Sequence, residues 1–271
     1  MAREAHIDLI AVTDHQSFEH YGAIAQASCR PGRPLVVLPG IEITANEGCH
    51  LLAVFPKSYS EAQQHRFYGW LEIEGTGDTR EASRKRTIDI LRKVVDEEGG
   101  VIIVPHPFAP KIGFLDSSRK LSTREEALET GHIRLFQLSA THTDRVRYIG
   151  HDENGNWINR YVLASASASQ VANSSYCLAP FNRSDVHSPD DINDGCSWFR
   201  MQELSVGGVK QVACEFKTRI SSEQPPLPTQ DCILGLAVRS GYCRQQTFYF
   251  NEALTALSVQ TMLANRRFLI L

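Results

Sequence analysis

Several signatures are missing from this 271-residue sequence, and each absence removes a class of protein. Its seven cysteines form no CxxC pair and no regular spacing, which argues against a disulfide scaffold and favours reduced thiols in the cytosol. No apolar run approaches the roughly 20 residues that span a bilayer, so we expect no membrane partner. The formal net charge is only -3, which gives no general case for nucleic-acid binding but leaves a local basic groove open. We therefore expect a cytoplasmic protein with an ordinary globular composition.

Four short apolar runs in the chain each lead into side chains of the kinds that bind metals. The runs are residues 7–12, 35–38, 101–104 and 176–179, and they lead into Asp14 and His15, Glu42, His106, and Asp185 with His187. A short β-branched run of this kind is typical of a strand buried on both faces of a parallel sheet. In parallel α/β architectures the carboxyl ends of the strands meet at one edge, where binding and chemistry are placed. The sequence therefore predicts a site at that edge.

The candidate metal ligands are imidazoles and carboxylates. They are His15, Glu42, His50, His106, Asp185 and His187. Glu42 and His50 flank a turn between adjacent strands, so we expect their side chains to reach one point. Asp185 and His187 lie on the same side of an extended segment, because side chains alternate along a strand. Such a mixture suits zinc, manganese or iron, and a carboxylate such as Glu42 can bridge two ions. We expect the other histidines His65, His132 and His151 to be solvated.

The remaining pattern alternates helices with strands, which is typical of α/β proteins. We predict helices over residues 18–28, 79–98 and 164–173, strands over 50–55 and 132–139, loop and a short helix over 107–131, and two short strands within 232–250. A proline-rich linker at 221–231 marks the end of the first domain. Residues 256–271 fit neither helix nor strand convincingly.

Four segments together resemble the PHP (polymerase and histidinol phosphatase) domain family over residues 1–220. They are Thr13-Asp14-His15, Pro39-Gly40-Ile41-Glu42 with Gly48-Cys49-His50, Pro105-His106-Pro107, and Ser184-Asp185-Val186-His187-Ser188. The resemblance implies a distorted (β/α)7 TIM-like barrel with two or three divalent ions that hydrolyses phosphoesters with a metal-activated water. It implies that Glu42 bridges metals and that His50 and His106 complete one site. It also implies that Asp185 serves a second site and that His15 and His187 serve a third.

The chain departs from the family at its beginning. The family opens with a strand that bears a His-x-His motif, and nothing before His15 supplies that motif. We therefore predict a barrel that lacks its first strand and a metal centre that lacks some of its ligands.

Three further residues are candidates for catalytic roles. Asp14 is predicted to orient His15, and His20 follows by a helical turn and could line the pocket. Arg183, beside the last ligand pair, offers a planar fork suited to phosphate. A surface salt bridge is an equally good interpretation of Arg183.

The segment from residue 197 to 220 resembles the joint in proteins that fuse a PHP domain to an SMC- or ABC-like ATPase. Residues 232–271 then correspond to a truncated start of that ATPase, which implies a downstream or separate ATPase module as a partner. No GxxxxGK(S/T) phosphate-binding loop is present. We predict a frameshift in the tail from about residue 258, because permissible codons read one base earlier can encode such a loop.

Three functions remain open at this point. The first is a metal-dependent phosphoesterase acting on a nucleotide, a nucleic acid or a small phosphomonoester. The second is a catalytically inactive metal-binding remnant of a PHP–ATPase fusion, which the missing His-x-His motif favours. The third is an amidohydrolase-type barrel acting on C–N bonds, which shares the ligand chemistry but does not account for the Pro-Gly-Ile-Glu and Asp-Val-His segments.

Overall fold

A computed structural model describes twelve stretches of the chain, with gaps between them. They are residues 7–29, 35–75, 81–107, 109–115, 121–138, 149–151, 157–159, 179–182, 197–221, 235–238, 246–249 and 264–270. The predicted site residues Arg183, Asp185 and His187 lie outside the described residues, as does the predicted helix over 164–173.

The described residues form a mixed α/β structure. The strands are β1 Leu9–Val12, β2 Val36–Thr44, β3 His50–Val54, β4 Val101–Val104, β5 Ile133–Leu138, β6 Ile149–His151, β7 Trp157–Asn159, β8 Ala179–Asn182, β9 Ser197–Met201, β10 Ile220–Ser221, β11 Gly235–Val238, β12 Gln246–Tyr249 and β13 Ala264–Ile270. The helices are α1 Tyr21–Ser28, α2 Glu61–Leu71, α3 Thr87–Arg92, α4 Leu121–Glu129, α5 Val206–Cys214 and α6 Phe216–Arg219, and α3 continues into a π-helical turn over Lys93–Glu97.

Nine strands form one mixed sheet in the order β10-β9-β13-β1-β2-β3-β4-β5-β8. The pairs β13–β1, β1–β2, β4–β5 and β5–β8 are parallel. Strand β3 runs antiparallel to both β2 and β4, so the parallel sheet that the apolar runs predicted is interrupted at its centre. The cause is the short turn after Thr44, which can join only antiparallel neighbours, whereas a parallel pair needs a long crossover. Among the described strands, none pairs β8 with β10, so the sheet is open there.

The central strands are buried on both faces, as their apolar sequences predict. All four residues of β1 and all four of β4 are buried. One core cluster, which includes Phe55, Phe67 and Phe136, lies on one side of the sheet. A second cluster, which includes Leu9, Leu135 and Phe199, lies on the other, where α5 contributes Val209 and Val212. The strands therefore form a rigid support for the loops at their ends.

The helices predicted over 18–28 and 79–98 are present, but each begins later in the chain than predicted. Helix α1 begins at Tyr21 and not at Phe18, and the helix predicted over 79–98 begins only at Thr87. Gly99, with a φ of 70°, lies just beyond the π-helical turn, in the left-handed conformation that commonly ends a helix. None of the helices in the described part of the chain is long and apolar enough to cross a membrane.

Helix α2 has no counterpart among the predicted elements. The side chain of Gln63 accepts a hydrogen bond from the backbone N–H of Ser60 at 3.0 Å, which is one half of a capping box. The Ser-x-x-Gln spacing was therefore a readable signal for the start of this helix.

Strand β13 forms where no regular element was expected. It pairs in parallel with β1, with Leu9 opposite Phe268 and Ala11 opposite Ile270, and antiparallel with β9. It thus occupies the edge of β1 opposite β2. The β11–β12 hairpin confirms the two strands predicted within 232–250 and forms a separate two-stranded sheet.

Candidate metal centre

Glu42 and His50 come from neighbouring strands and lie on the same face of the sheet. In the antiparallel β2–β3 ladder Thr44 is opposite His50, and Glu42 is opposite Leu52. Glu42 and His50 are therefore diagonal neighbours, a distance that long side chains can span. Glu42 lies inside β2 and not in a loop after it, because that strand continues through Gly40 to Thr44.

A close approach of three strands places Glu42. A Cβ atom on Gly40 would lie 2.7 Å from Cγ2 of Thr13 and 2.9 Å from the backbone oxygens of both Val12 and Ala53. Only a glycine fits between β1 and β3 at this point. Two residues later, the backbone N–H of Glu42 donates to the backbone oxygen of Asp14 at 3.0 Å. The loop that follows β1 is thereby held beside the carboxylate.

His106 reaches the same point from the loop after β4. Its φ of 28° lies in the left-handed region, which is uncommon for a residue other than glycine. The loop is held locally, since the backbone N–H of Ala109 donates to the oxygen of His106 at 2.9 Å. The backbone N–H of His50 donates to the backbone oxygen of Ile112, in the same loop, at 3.0 Å. An unfavourable backbone conformation maintained by its surroundings is common at functional sites.

Three donor atoms converge in a small triangle. Nδ1 of His50 lies 2.9 Å from Oε1 of Glu42 and 3.2 Å from Nε2 of His106, and the last two atoms are 3.9 Å apart. Ligand atoms about 2.0–2.1 Å from a tetrahedral zinc ion are about 3.3 Å apart. The three observed distances, 2.9, 3.2 and 3.9 Å, lie on both sides of that value. Within the described residues, this is the one group of three or more histidine, cysteine or acidic side chains whose donors converge in this way.

The electrostatics of the triangle favour an ionised carboxylate. Burial by itself would raise the pKa of Glu42, but the hydrogen bond from His50 and the nearby charges of His50, His106 and His15 overcome it and leave the pKa lowered. Glu42 therefore stays deprotonated and available to a cation. With two imidazoles and one carboxylate, the donor set fits a divalent ion such as zinc, manganese or iron.

His15 lies beside this triangle without joining it. It forms a parallel β-bridge with Glu42, and its ring centroid is 5.5 Å from that of His50. Nε2 of His15 is 3.3 Å from the hydroxyl of Thr44, a contact that sequence reasoning did not anticipate. The His15 side chain is exposed at the edge of the sheet. Its membership of a third metal site remains a prediction.

Asp14 and His20 contact each other. The carboxylate of Asp14 accepts a hydrogen bond from the backbone N–H of His20 at 2.8 Å, and it lies 3.2 Å from Nδ1 of the same residue. These contacts join the two ends of the loop between β1 and α1. Their catalytic roles, like that of Arg183 and the ligand roles of Asp185 and His187, remain predictions.

The prediction of a solvated side chain is right for His65 and wrong for His132. The side chain of His65 is 77% exposed, whereas that of His132 is 17% exposed and hydrogen-bonds to Asp96 at 3.0 Å. His132 directly precedes the buried strand β5, and its backbone N–H donates to the hydroxyl of Thr130 at 3.1 Å, so the residue is fixed at both its backbone and its ring. The side chain of His151 lies outside the described residues.

No protein-family profile matches the chain, and no curated protein matches it either. Among solved structures, endonuclease Q in complex with a 27-mer duplex carrying an abasic lesion matches with a TM-score of 0.50 and 14% identity. The match covers 78% of this chain and 49% of the endonuclease Q chain, so this chain spans about half the length of that protein. At this identity the likeness concerns the fold alone.

Two further structures match more weakly. PsfC from Pseudomonas syringae PB-5123 has a TM-score of 0.44 and 15% identity, covering 77% of this chain and 75% of its own. A Bifidobacterium adolescentis protein to which a metal-dependent phosphoesterase activity has been ascribed has a TM-score of 0.43 and 14% identity, covering 79% of this chain and 87% of its own. The chain thus shares a mixed α/β fold with a nucleic-acid endonuclease.

Proposed function

We propose that this chain is a metal-dependent phosphoesterase of the PHP type that hydrolyses phosphoester bonds in a nucleotide or nucleic acid. The observation that carries the proposal is the triangle of Glu42, His50 and His106. Three donors of suitable chemistry meet at the end of a rigid sheet, on a fold shared with endonuclease Q.

The side chains have separable tasks in this proposal. Glu42, His50 and His106 would hold a divalent ion, which polarises a phosphoryl oxygen and lowers the pKa of water when bound. His50 and His106 must offer unprotonated nitrogens, and Glu42 supplies the negative charge that balances the cation. The hydrogen bond from the backbone N–H of His20 to the carboxylate of Asp14 holds the loop between β1 and α1 in place. Arg183 is the candidate for contacting the phosphate, and Asp185, His187 and His15 are the candidates for further ions.

Metal binding and turnover provide the direct test. The metal-free chain would be titrated with Mn²⁺ or Zn²⁺ by calorimetry, and hydrolysis of bis(p-nitrophenyl) phosphate would be followed with each metal. We expect metal-dependent hydrolysis that is lost in His106→Asn. Asparagine removes the imidazole but tolerates the left-handed backbone at this position.

A matched control is available at a half-buried histidine outside the triangle, His132. His132→Asn alters a histidine that hydrogen-bonds a carboxylate outside the triangle, and we expect it to keep full activity. Metal binding without hydrolysis in the unaltered chain would instead support the inactive remnant. Absence of metal binding would contradict both functions.

The finer architecture belongs to the proposal as well. We propose that the open sheet is part of a distorted (β/α)7 barrel, with residues 1–220 as the phosphoesterase domain and 221–231 as a linker. Residues 232–271 would correspond to the start of an ATPase domain, with a downstream or separate ATPase module as the partner. Because β13 lies in the same sheet as β1, limited proteolysis after residue 221 tests this boundary. Dissociation of the 232–271 fragment after cleavage would support a separate unit, whereas its retention through the pairs that β13 forms with β1 and β9 would contradict the boundary.

A further inference from the structure

Gln16 directly follows the candidate ligand His15 and combines two unfavourable features. The residue is completely buried, and its φ of 55° lies in the left-handed region. Within the described part of the chain, the side-chain oxygen Oε1 of Gln16 has no hydrogen-bond partner. A left-handed glutamine and an unpaired buried oxygen both cost stability, and such costs are common at functional sites. The contacts of Gln16 show what this conformation provides.

The backbone of Gln16 helps to hold the strand residue Glu42. The backbone N–H of Glu42 donates to the oxygen of Asp14 at 3.0 Å, and the N–H of Gln16 donates to the oxygen of Glu42 at 2.7 Å. The chain then turns away, because the N–H of Ser17 donates back to the oxygen of Asp14 at 3.4 Å. Gln16 is the third residue of this turn, where a left-handed conformation is required in type II turns. Its conformation therefore fixes where the pairing with Glu42 ends.

A second segment, residues 81–85, continues along the same edge of β2. The backbone N–H of Ser83 donates to the oxygen of Thr44 at 2.8 Å. Thr44 lies two residues beyond Glu42, so the backbone groups of both residues face the same edge of the strand. The hydroxyl of Ser83 donates to the backbone oxygen of Leu71 at 2.6 Å, which anchors the segment to the end of α2. The loop after β1 and this anchored segment therefore cover consecutive parts of one strand edge.

The side chain of Gln16 joins the loop to that segment. Its Nε2 donates to the backbone oxygen of Glu81 at 2.5 Å, and the amide must face this way because a carbonyl oxygen can only accept. His15 is held in the same structure, since its Nε2 lies 3.3 Å from the hydroxyl of Thr44. A displacement of the loop would therefore move both His15 and the backbone that pairs with Glu42.

We propose that Gln16 is a positioning residue for the metal centre, whose side chain fixes the loop after β1 and thereby Glu42 and His15. The inference rests on the proposed function, because it takes the triangle as the metal site. Hydrogen-bonding groups that orient a metal ligand typically contribute about 10- to 100-fold to metal affinity. Gln16 acts through the backbone of Glu42, so an effect of about tenfold is expected.

The test compares two buried glutamines that make the same kind of hydrogen bond. Nε2 of Gln64, in α2, donates to the backbone oxygen of Tyr59 at 3.2 Å. Tyr59 belongs to the core cluster on the face of the sheet opposite to Glu42, so Gln64 is the matched control. The full-length variants Gln16→Ala and Gln64→Ala would be titrated with Co²⁺, whose visible absorption reports the number and geometry of its ligands, and unfolded with urea.

Both variants should lose stability, because each loses a buried hydrogen bond. Only Gln16→Ala should also weaken Co²⁺ binding, by about tenfold, and change the absorption of the bound ion. Gln16→Gly separates the side chain from the backbone conformation, since glycine adopts a φ of 55° without strain but has no amide to reach Glu81. We expect Gln16→Gly to weaken Co²⁺ binding as much as Gln16→Ala does.

Three results would overturn the positioning role. They are an unchanged Co²⁺ affinity and absorption in Gln16→Ala, an equal loss of affinity in Gln64→Ala, and an unchanged affinity in Gln16→Gly. Hydrolysis of phosphodiesters by the unaltered chain, with a Co²⁺ affinity independent of Gln16, would keep the proposed function and reject the positioning role. Co²⁺ binding that depends on Gln16, without hydrolysis, would keep the positioning role and count against the phosphoesterase. A chain that binds no Co²⁺ would contradict both.

Discussion

Two groups of histidine and carboxylate side chains contain the same donor atoms but provide different sites. In the triangle, Glu42 is 19% exposed and meets two imidazoles, whereas Asp96 is 56% exposed and meets one imidazole among the described residues, that of His132. Both contain a histidine–carboxylate hydrogen bond of about the same length, 2.9 Å and 3.0 Å. What separates them is the third donor, His106, and the burial of the carboxylate. A metal site needs several donor atoms that meet at one point and a carboxylate that is shielded from water. A histidine beside a carboxylate does not provide these by itself.

The largest expected effect is on metal affinity. Loss of an outer partner of a metal ligand typically costs about 10- to 100-fold in affinity, so we expect Glu42→Ala to weaken Zn²⁺ or Mn²⁺ binding by at least about 100-fold. Asp96→Ala should leave metal affinity within about twofold, because the His132 pair lacks a third donor. Calorimetric titration of both variants checks this prediction. Equal losses in the two variants would show that the triangle is not the metal site.

Gly40 offers a way to disturb the triangle without touching its ligands. We expect Gly40→Ala to lower the free energy of unfolding by about 1–3 kcal/mol, because the added methyl group meets backbone oxygens of Val12 and Ala53. Displacement of β2 should also weaken metal binding. Urea denaturation provides the measurement.

Gly69, in the last turn of α2, is the matched control for that substitution. Nothing lies within 4 Å of a Cβ added there. Gly69→Ala should therefore raise stability by about 0.5–1 kcal/mol, as expected for a helix interior. If the two alanine variants behave alike, the close approach at Gly40 does not govern the position of β2.

The acid stability of the metal-free chain should depend on Glu42. Because the folded-state pKa of Glu42 is lowered, the stabilisation is fully present above the ordinary glutamate value of about 4.3 and is lost as the pH falls through the folded pKa. We therefore expect the stability difference between the unaltered chain and Glu42→Gln to shrink below about pH 4. Urea denaturation between pH 7 and pH 3 in the presence of a chelator measures it. A difference that grows toward low pH would contradict the ionised state of Glu42.

The smallest expected effect concerns the His132 pair. Exposed ion pairs contribute about 0–1 kcal/mol, and Asp96 is more than half exposed, so His132→Ala should cost no more than about 1 kcal/mol. Thermal denaturation of His132→Ala and Asp96→Ala checks this. A larger loss in His132→Ala alone would indicate that the ring matters through packing under β5 and not through its partner.

The sequence predicted the triangle more accurately than the sheet that supports it. Glu42 and His50 were placed together by the short turn between them, and His106 by its position after a buried strand. The apolar runs alone do not give the direction of β3, since such a run looks the same in a parallel and in an antiparallel neighbour, but the same short turn implies the antiparallel pair. The contact between Asp14 and His20 was missed, because the hydrogen bonds of a loop side chain depend on where the backbone turns.

By itself the sequence determined which residues can bind a metal and which strands are buried, because these depend on residue type and short spacing. Only the tertiary structure decided which further donor joins Glu42 and His50. Glu42, His50 and His106 meet because β2, β3 and β4 are adjacent, whereas His132, equally a histidine beside a buried strand, meets a single exposed carboxylate. Which side chains from separate strands converge depends on strand order and close packing, and no pattern within a single strand encodes it.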